Sequence, residues 1–221
     1  MIACDIELFF TTVVSMTMPN TLSYTEQLSL LKFSGTDASS FLQGQLTNDI
    51  NALESNWQYS GYCNPKGRLL ALFILWKSHD DIYALLPASL VEATCKRLRM
   101  YVMRSKVTIE NIENVHLSNS LTSINQRFAC QHSADCFTLG FGDRELIVNL
   151  NSSEINNPVD REWSSLNIKD GLPEITEKTA ELFVPQMINL DLIDGVSFKK
   201  GCYTGQEIVA RMHYLGKLKQ R

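Results

Sequence analysis

Short runs of apolar residues, separated by polar turn-formers, set the rhythm of this chain. Leu28 to Phe33 predicts a strand, and Thr36 to Gln43 a short helix entered through a threonine or aspartate cap. Trp57 to Cys63 and Leu69 to Lys77 are β-rich runs divided by N-P-K-G-R. Asparagine, proline and glycine in succession favour a turn, so the two runs predict an antiparallel hairpin. Asp81 to Leu86 follows as another strand after an H-D-D turn. Ser89 to Val102 has helical period, with Leu90, Ala93, Leu98 and Val102 on its apolar side. Lys106 to Ile112, Cys136 to Phe141 and Glu145 to Leu150 read as strands, and Asp160 to Ile168 as a helix. Strands grouped as hairpins with helices between the groups point to an α+β fold, antiparallel sheets with packed helices, rather than a parallel doubly wound sheet.

The last periodic stretch carries the candidate chemistry. Lys199 to Glu207 reads K-K-G-C-Y-T-G-Q-E, and Ile208, Val209, Met212 and Leu215 then recur at helical spacing before Gly216. Thr204 with Glu207 has the T-x-x-E form of a capping box, which would start a helix at Thr204. Cys202 then precedes the positive end of the helix dipole, with Lys199 and Lys200 beside it, and both influences favour a thiolate. Free cysteine is also among the most buried residue types. Residue chemistry by itself leaves open whether Cys202 is a functional thiol or a packed one.

Composition is that of an ordinary globular protein, and 221 residues suffice for one large domain or two small intertwined ones. The polar stretch Asn149 to Pro158 is the best linker candidate. Residues 1–18 are apolar yet contain Asp5 and Glu7 and no lysine or arginine. They lack the basic start of a signal peptide and are interrupted too early to span a bilayer, so they read as an extension, with Met16 or Met18 as alternative starts. Six cysteines form no C-x-x-C pair, and Cys130, His132 and Cys136 read as structural residues rather than zinc ligands. Reduced thiols in the cytoplasm follow as the expectation. The net charge of −4 does not advertise nucleic-acid binding, although basic residues gather in Lys96 to Lys106 and again from Lys199 to Arg221. The first cluster reads as a solvated face. The second coincides with the K-K-G-C-Y-T-G-Q-E segment and fits an anionic ligand, a tRNA or an acidic protein equally well.

Pro185 to Arg211, P-Q-M-I-N-L-D-L-I-D-G-V-S-F-K-K-G-C-Y-T-G-Q-E-I-V-A-R, resembles the signature of the YgfZ family of folate-binding proteins, relatives of the glycine-cleavage T-protein (aminomethyltransferase). Further similar blocks are F-L-Q-G-Q-L-T-N-D-I from Phe41, C-N-P-K-G-R-L-L-A from Cys63 and Y-V-M-R-S-K-V from Tyr101. The resemblance runs from about Leu28 to the C-terminus. It implies a fold like the folate-binding domain of the aminomethyltransferases, and a tetrahydrofolate-binding accessory protein that maintains iron–sulfur enzymes, among them radical enzymes that thiolate tRNA.

By the same resemblance, Trp163 is a folate-contacting tryptophan, and a second such tryptophan of bacterial relatives falls near Leu28 here. Leucine supplies neither stacking nor an indole N–H, a departure that bears on the strength or geometry of folate binding. Asn48, Asn64 and Arg68 lie in matching blocks as candidate donors to the ligand, with Asn64 also read as a turn residue. Cys202 would take part in a sulfur, cluster or one-carbon step, with Lys200 tuning it and Tyr203 packing or donating at the site. Gln206 and Glu207 would hold the loop or contact ligand. No metal site is implied. No acidic residue occurs from Cys63 to Ser78, which argues against ordinary aminomethyl transfer, the alternative enzymatic reading. The family continues into a small C-terminal β-barrel where this chain reaches Arg221, so a truncated, weakly functional member with a self-association surface is the third reading.

Overall fold

The computed structural model describes residues 28–121, 127–133, 135–150 and 161–216. The segment 1–18 and most of the expected linker at 149–158 lie outside them. Five strands, β1 (Leu28–Ser34), β2 (Gln58–Cys63), β3 (Leu69–Ser78), β4 (Asp81–Pro87) and β5 (Thr108–Ile112), form a sheet in the order β2-β3-β4-β1-β5 with every neighbour antiparallel. Four more, β6 (His116–Leu121), β7 (Cys130–Ser133), β8 (Cys136–Gly140) and β9 (Arg144–Asn149), form a second antiparallel sheet in the order β6-β9-β8-β7. The α+β expectation holds. β6 and β7 were not evident as strands because their residues are mostly polar, and β7 keeps three of four exposed. No helix among the described residues is long and apolar enough to cross a membrane.

The first sheet is covered on both faces, so β2 and β4 are buried almost end to end and lose the clean alternation of a half-exposed strand. Helix α1 (Ala38–Gln43) begins one residue after Asp37, whose carboxylate does not cap it. That carboxylate instead accepts from the Lys106 N–H at 2.7 Å, tying the helix to the chain entering β5. Helix α2 (Ala88–Val102) packs on the sheet through Leu90, Thr94, Cys95 and Leu98. Ala93, expected on that apolar side, is exposed.

Aromatic side chains weld the two sheets together. Phe137 of β8 sits 5.3 Å from the Trp76 ring and 4.9 Å from Tyr83, and Trp57 lies 4.3 Å from Phe141 while its indole N–H donates to the Gly140 carbonyl at 2.8 Å. Helix α3 (Arg161–Lys169) adds Trp163 to this layer, and α4 (Gln206–Tyr214) closes the described fold beside the β2–β3 turn.

Candidate functional site

Three of the sequence blocks meet around the K-K-G-C-Y-T-G-Q-E segment. Lys200 is buried, and its ammonium donates all three of its protons to backbone carbonyls at the end of α1 and in the loop that follows: Gln43 at 2.8 Å, Leu46 at 2.6 Å and Asn48 at 2.8 Å. Burial pulls its pKa down to about 8, against a smaller upward pull from Asp49. The Tyr203 ring lies 5.1 Å beneath the same ammonium, and burial pushes the Tyr203 hydroxyl well above its ordinary range.

Around this cage runs a ring of further polar ties. The Thr47 hydroxyl donates to the Gly195 carbonyl and accepts from the Gly61 N–H, each at 2.7 Å. Asn48 donates through Nδ2 to the carbonyls of Tyr59 at 2.8 Å and Asp194 at 2.7 Å. Gln186 donates to the Val209 carbonyl at 2.7 Å, anchoring α4 from the 3-10 turn Pro185–Ile188. Buried polar groups need such partners, and here each partner comes from a segment distant in sequence.

The start of α4 differs from the capping box. Gly205 occupies the N-cap with φ +84°, no side chain caps the helix, and Glu207 is exposed in the first turn. Glycine is required because a Cβ there would stand 2.5 Å from the Asn64 carbonyl oxygen and 2.9 Å from the Gly67 Cα. The N-P-K-G-R turn is thus pressed against the signature segment. Asn64 shapes that turn, its Oδ1 accepting from the N–H groups of Lys66 at 2.9 Å and Arg68 at 3.1 Å.

These contacts reassign several residues. Lys200 has no proton left for Cys202, because the carbonyl cage takes all three. Asn48 has both amide donors engaged within the fold, Asn64 is a turn residue, and Arg68 donates to the Leu182 carbonyl. Gln206 donates to the Gly201 carbonyl at 3.4 Å. Cys202 is exposed, whereas burial pushes the thiol of fully buried Cys63 up to about 12. The basic cluster loses Lys200 to the interior, and residues 217–221 lie outside the described chain.

Leu28 and Trp163 do come together, in a different place. They line a half-open cleft between β1 to β4 on one side and α3 with the following Pro173–Ile175 on the other, with Tyr59, Leu72 and Ile74 on the sheet wall. Its enclosed part measures about 60 Å³. Arg144, buried, sits 4.2 Å from the Trp163 ring centroid and pairs with Asp170 at 2.7 Å, while Phe141 meets the same indole edge-on at 5.0 Å. The cleft also holds Asn167, whose Oδ1 is buried without a hydrogen-bond partner, and Glu174. Sequence reasoning missed Tyr59, Asn167 and Glu174. The aromatic in β2 was a visible signal, but nothing local marked the other two. None of residues 199–207 lines this cleft; Tyr59 joins the two regions, its ring in the cleft and its carbonyl held by Asn48.

The two antiparallel sheets with their packed helices define an aminomethyltransferase-type fold. The glycine cleavage system aminomethyltransferase T from Bartonella henselae superposes with a TM-score of 0.51 at 16% identity, over 57% of this chain and 40% of that one. No protein-family model matches the chain. It is 31% identical over 219 residues to the tRNA-modifying protein YgfZ of Colwellia psychrerythraea, spanning 88% of this chain and 68% of the relative. It is 33% identical to that of Aliivibrio fischeri MJ11 (90% and 69%) and 32% identical to that of Enterobacter sp. 638 (92% and 71%). The chain belongs to the YgfZ family.

Proposed function

We propose that this protein is a tetrahydrofolate-binding accessory factor in tRNA modification, acting by supporting iron–sulfur enzymes. One observation carries the folate part: in a YgfZ-family chain, Leu28, Tyr59 and Trp163 converge on a cleft containing a buried, unpartnered acceptor, Asn167 Oδ1. A pterin is flat and rich in N–H groups, so it calls for an aromatic wall and a few directed hydrogen bonds. Trp163 and Tyr59 supply the wall. Asn167 Oδ1 suits a ring N–H, and burial raises the Tyr59 pKa, keeping its hydroxyl a donor. The enclosed 60 Å³ takes one edge of such a ring, and the remainder would lie in the open part of the cleft. Bound tetrahydrofolate would supply one-carbon chemistry; the residues here bind and orient it.

Cys202, the exposed thiol among the described residues, is available to a partner enzyme, and the carbonyl cage around Lys200 holds its loop in place. The tRNA role is supported by kinship with the tRNA-modifying relatives, and the iron–sulfur role rests on the signature resemblance alone. The transferase reading finds one support in Glu174, a carboxylate on the cleft wall opposite the apolar Leu72 and Ile74.

Calorimetric titration with tetrahydrofolate tests the pocket. Binding by the wild type that is lost in Trp163→Ala and weakened in Asn167→Ala is expected, and absence of binding in the wild type would sink the folate reading. Complementation of cells lacking the parent factor then separates the roles. The accessory reading expects Glu174→Gln to restore iron–sulfur enzyme activity and Cys202→Ala to fail; the reverse pattern favours transfer chemistry.

A further inference from the structure

A larger cavity lies on the other face of the first sheet. Tyr59 pairs with Ile74 and Gly61 with Leu72, so these residues share the face of the Trp163 cleft, while Tyr62 points the opposite way toward α2. There, between β2, the start of β3, α2 and the segment from Glu177 to Glu181, is a space of about 420 Å³. That is within the range of small-molecule sites, and several times the enclosed part of the Trp163 cleft.

Its walls are chemically divided. Leu70, Leu90, Ala93 and Met100 make an apolar wall. Tyr62 and Arg97 add two polar atoms, Tyr62 Oη and Arg97 Nε, each buried and without a hydrogen-bond partner. Tyr62 is fully buried. Burial pushes its hydroxyl up to about 12, with nearby Arg97 acting in the opposite direction, so it remains a protonated donor at neutral pH. Polar groups this deep are normally paired; the Tyr62 oxygen lies near enough to interact with Arg97, yet the Tyr62 hydroxyl proton and the Arg97 Nε–H have no acceptor. A guanidinium beside a hydroxyl matches a carboxylate, the strongest acceptor available to it. Glu177 and Glu181 on the wall facing α2 oppose negative charge near them, whereas Lys96 joins Arg97 on the helix side, so the cavity suits a single carboxylate turned toward α2.

We propose that this cavity is a second binding site, for a small amphipathic monocarboxylate whose carboxylate meets Arg97 and Tyr62 and whose apolar body lies along Leu70, Leu90 and Met100. The site is independent of the folate reading, because it shares no residue with the Trp163 cleft. Glu181 connects it to the signature region, since its Oε2 accepts from Asn64 Nδ2 at 3.3 Å.

The test uses the full chain with 4-phenylbutyrate as probe and the uncharged 4-phenylbutyramide as its match, read by calorimetry and saturation-transfer NMR. The carboxylate should bind at least about tenfold more tightly than the amide, since only it engages the guanidinium as an ion. Tyr62→Phe removes one oxygen and should weaken the carboxylate about five- to tenfold. Ala93→Trp, at an exposed helix position on the cavity wall, should abolish binding while leaving the melting temperature and tetrahydrofolate titration unchanged. The proposal is overturned by equal binding of acid and amide, by undiminished binding in Ala93→Trp, or by no uptake of the acid up to its solubility limit, which would mean a cavity filled by water alone.

Discussion

Replacing Lys200 with methionine isolates the energetic role of the most connected side chain in the signature. Methionine keeps the length and the apolar stem but leaves the carbonyls of Gln43, Leu46 and Asn48 without the bonds they accept at 2.6–2.8 Å. A hydrogen bond to a charged donor is worth about 1.5–3 kcal/mol, and a carbonyl abandoned in the interior costs about 1–3 kcal/mol. Against this stands the relief of no longer burying a cation, itself worth several kcal/mol. The three carbonyls win because the ammonium had every proton satisfied, and the expected net loss is about 2–4 kcal/mol. For a chain of this size that lowers the melting temperature by about 5–15 °C. Urea denaturation measures it, and a variant within about 0.5 kcal/mol of wild type would refute the cage as a stabilising device. The pH dependence has a definite sign. The unfolded lysine titrates near 10.5 and the folded one near 8, so between these values the unfolded chain holds the extra proton. Wild-type stability relative to the variant should therefore rise from pH 8 to 10.5 and stay flat below. A falling gap would mean that the carbonyls hold the charge more strongly than burial expels it.

Two glycines of the signature should respond in opposite ways. Gly205→Ala combines a left-handed backbone with a Cβ 2.5 Å from the Asn64 oxygen and should cost about 3 kcal/mol or more, whereas Gly201→Ala meets nothing within 4 Å and should stay within about 0.5 kcal/mol, both read by urea melts. Equal effects would show that the turn and helix are not pressed together. Iodoacetamide labelling of the native protein followed by peptide mass spectrometry should mark Cys202 well before Cys63, because one thiol is exposed and the other buried and held protonated. Comparable native rates would place Cys202 against unexpected cover.

Much of the fold was legible where the chain obeys local rules. The β2–β3 hairpin was written in N-P-K-G-R, since asparagine and glycine there perform local tasks, the Asx bonds of Asn64 and the positive φ of Gly67. Helix α2 was written in its period, though Ala93 shows that small residues on a helix edge do not declare which side they face. The capping box failed by one residue because the neighbouring turn, far away in sequence, crowds Gly205 and takes over the helix start. The site divided similarly. Trp163 and Leu28 were named through resemblance and do share a cleft, but Asn167 and Glu174 carry no sequence signal because their position depends on how α3 lies against the sheet.

What the sequence determined unaided is most of the elements, the polar strands β6 and β7 excepted, their antiparallel character and the family kinship, because periodicity, turn chemistry and extended motifs are properties of contiguous residues. The division of labour among the motif residues was decided only by tertiary structure. Lys200 read as the group tuning Cys202 and Asn48 as a donor to ligand, until the carbonyls of Gln43, Leu46 and Asn48 were seen to take every proton of the first and those of Tyr59 and Asp194 both amide protons of the second. Whether a buried donor serves a ligand or the fold depends on which acceptors arrive from elsewhere in the chain, and those arrive only on folding.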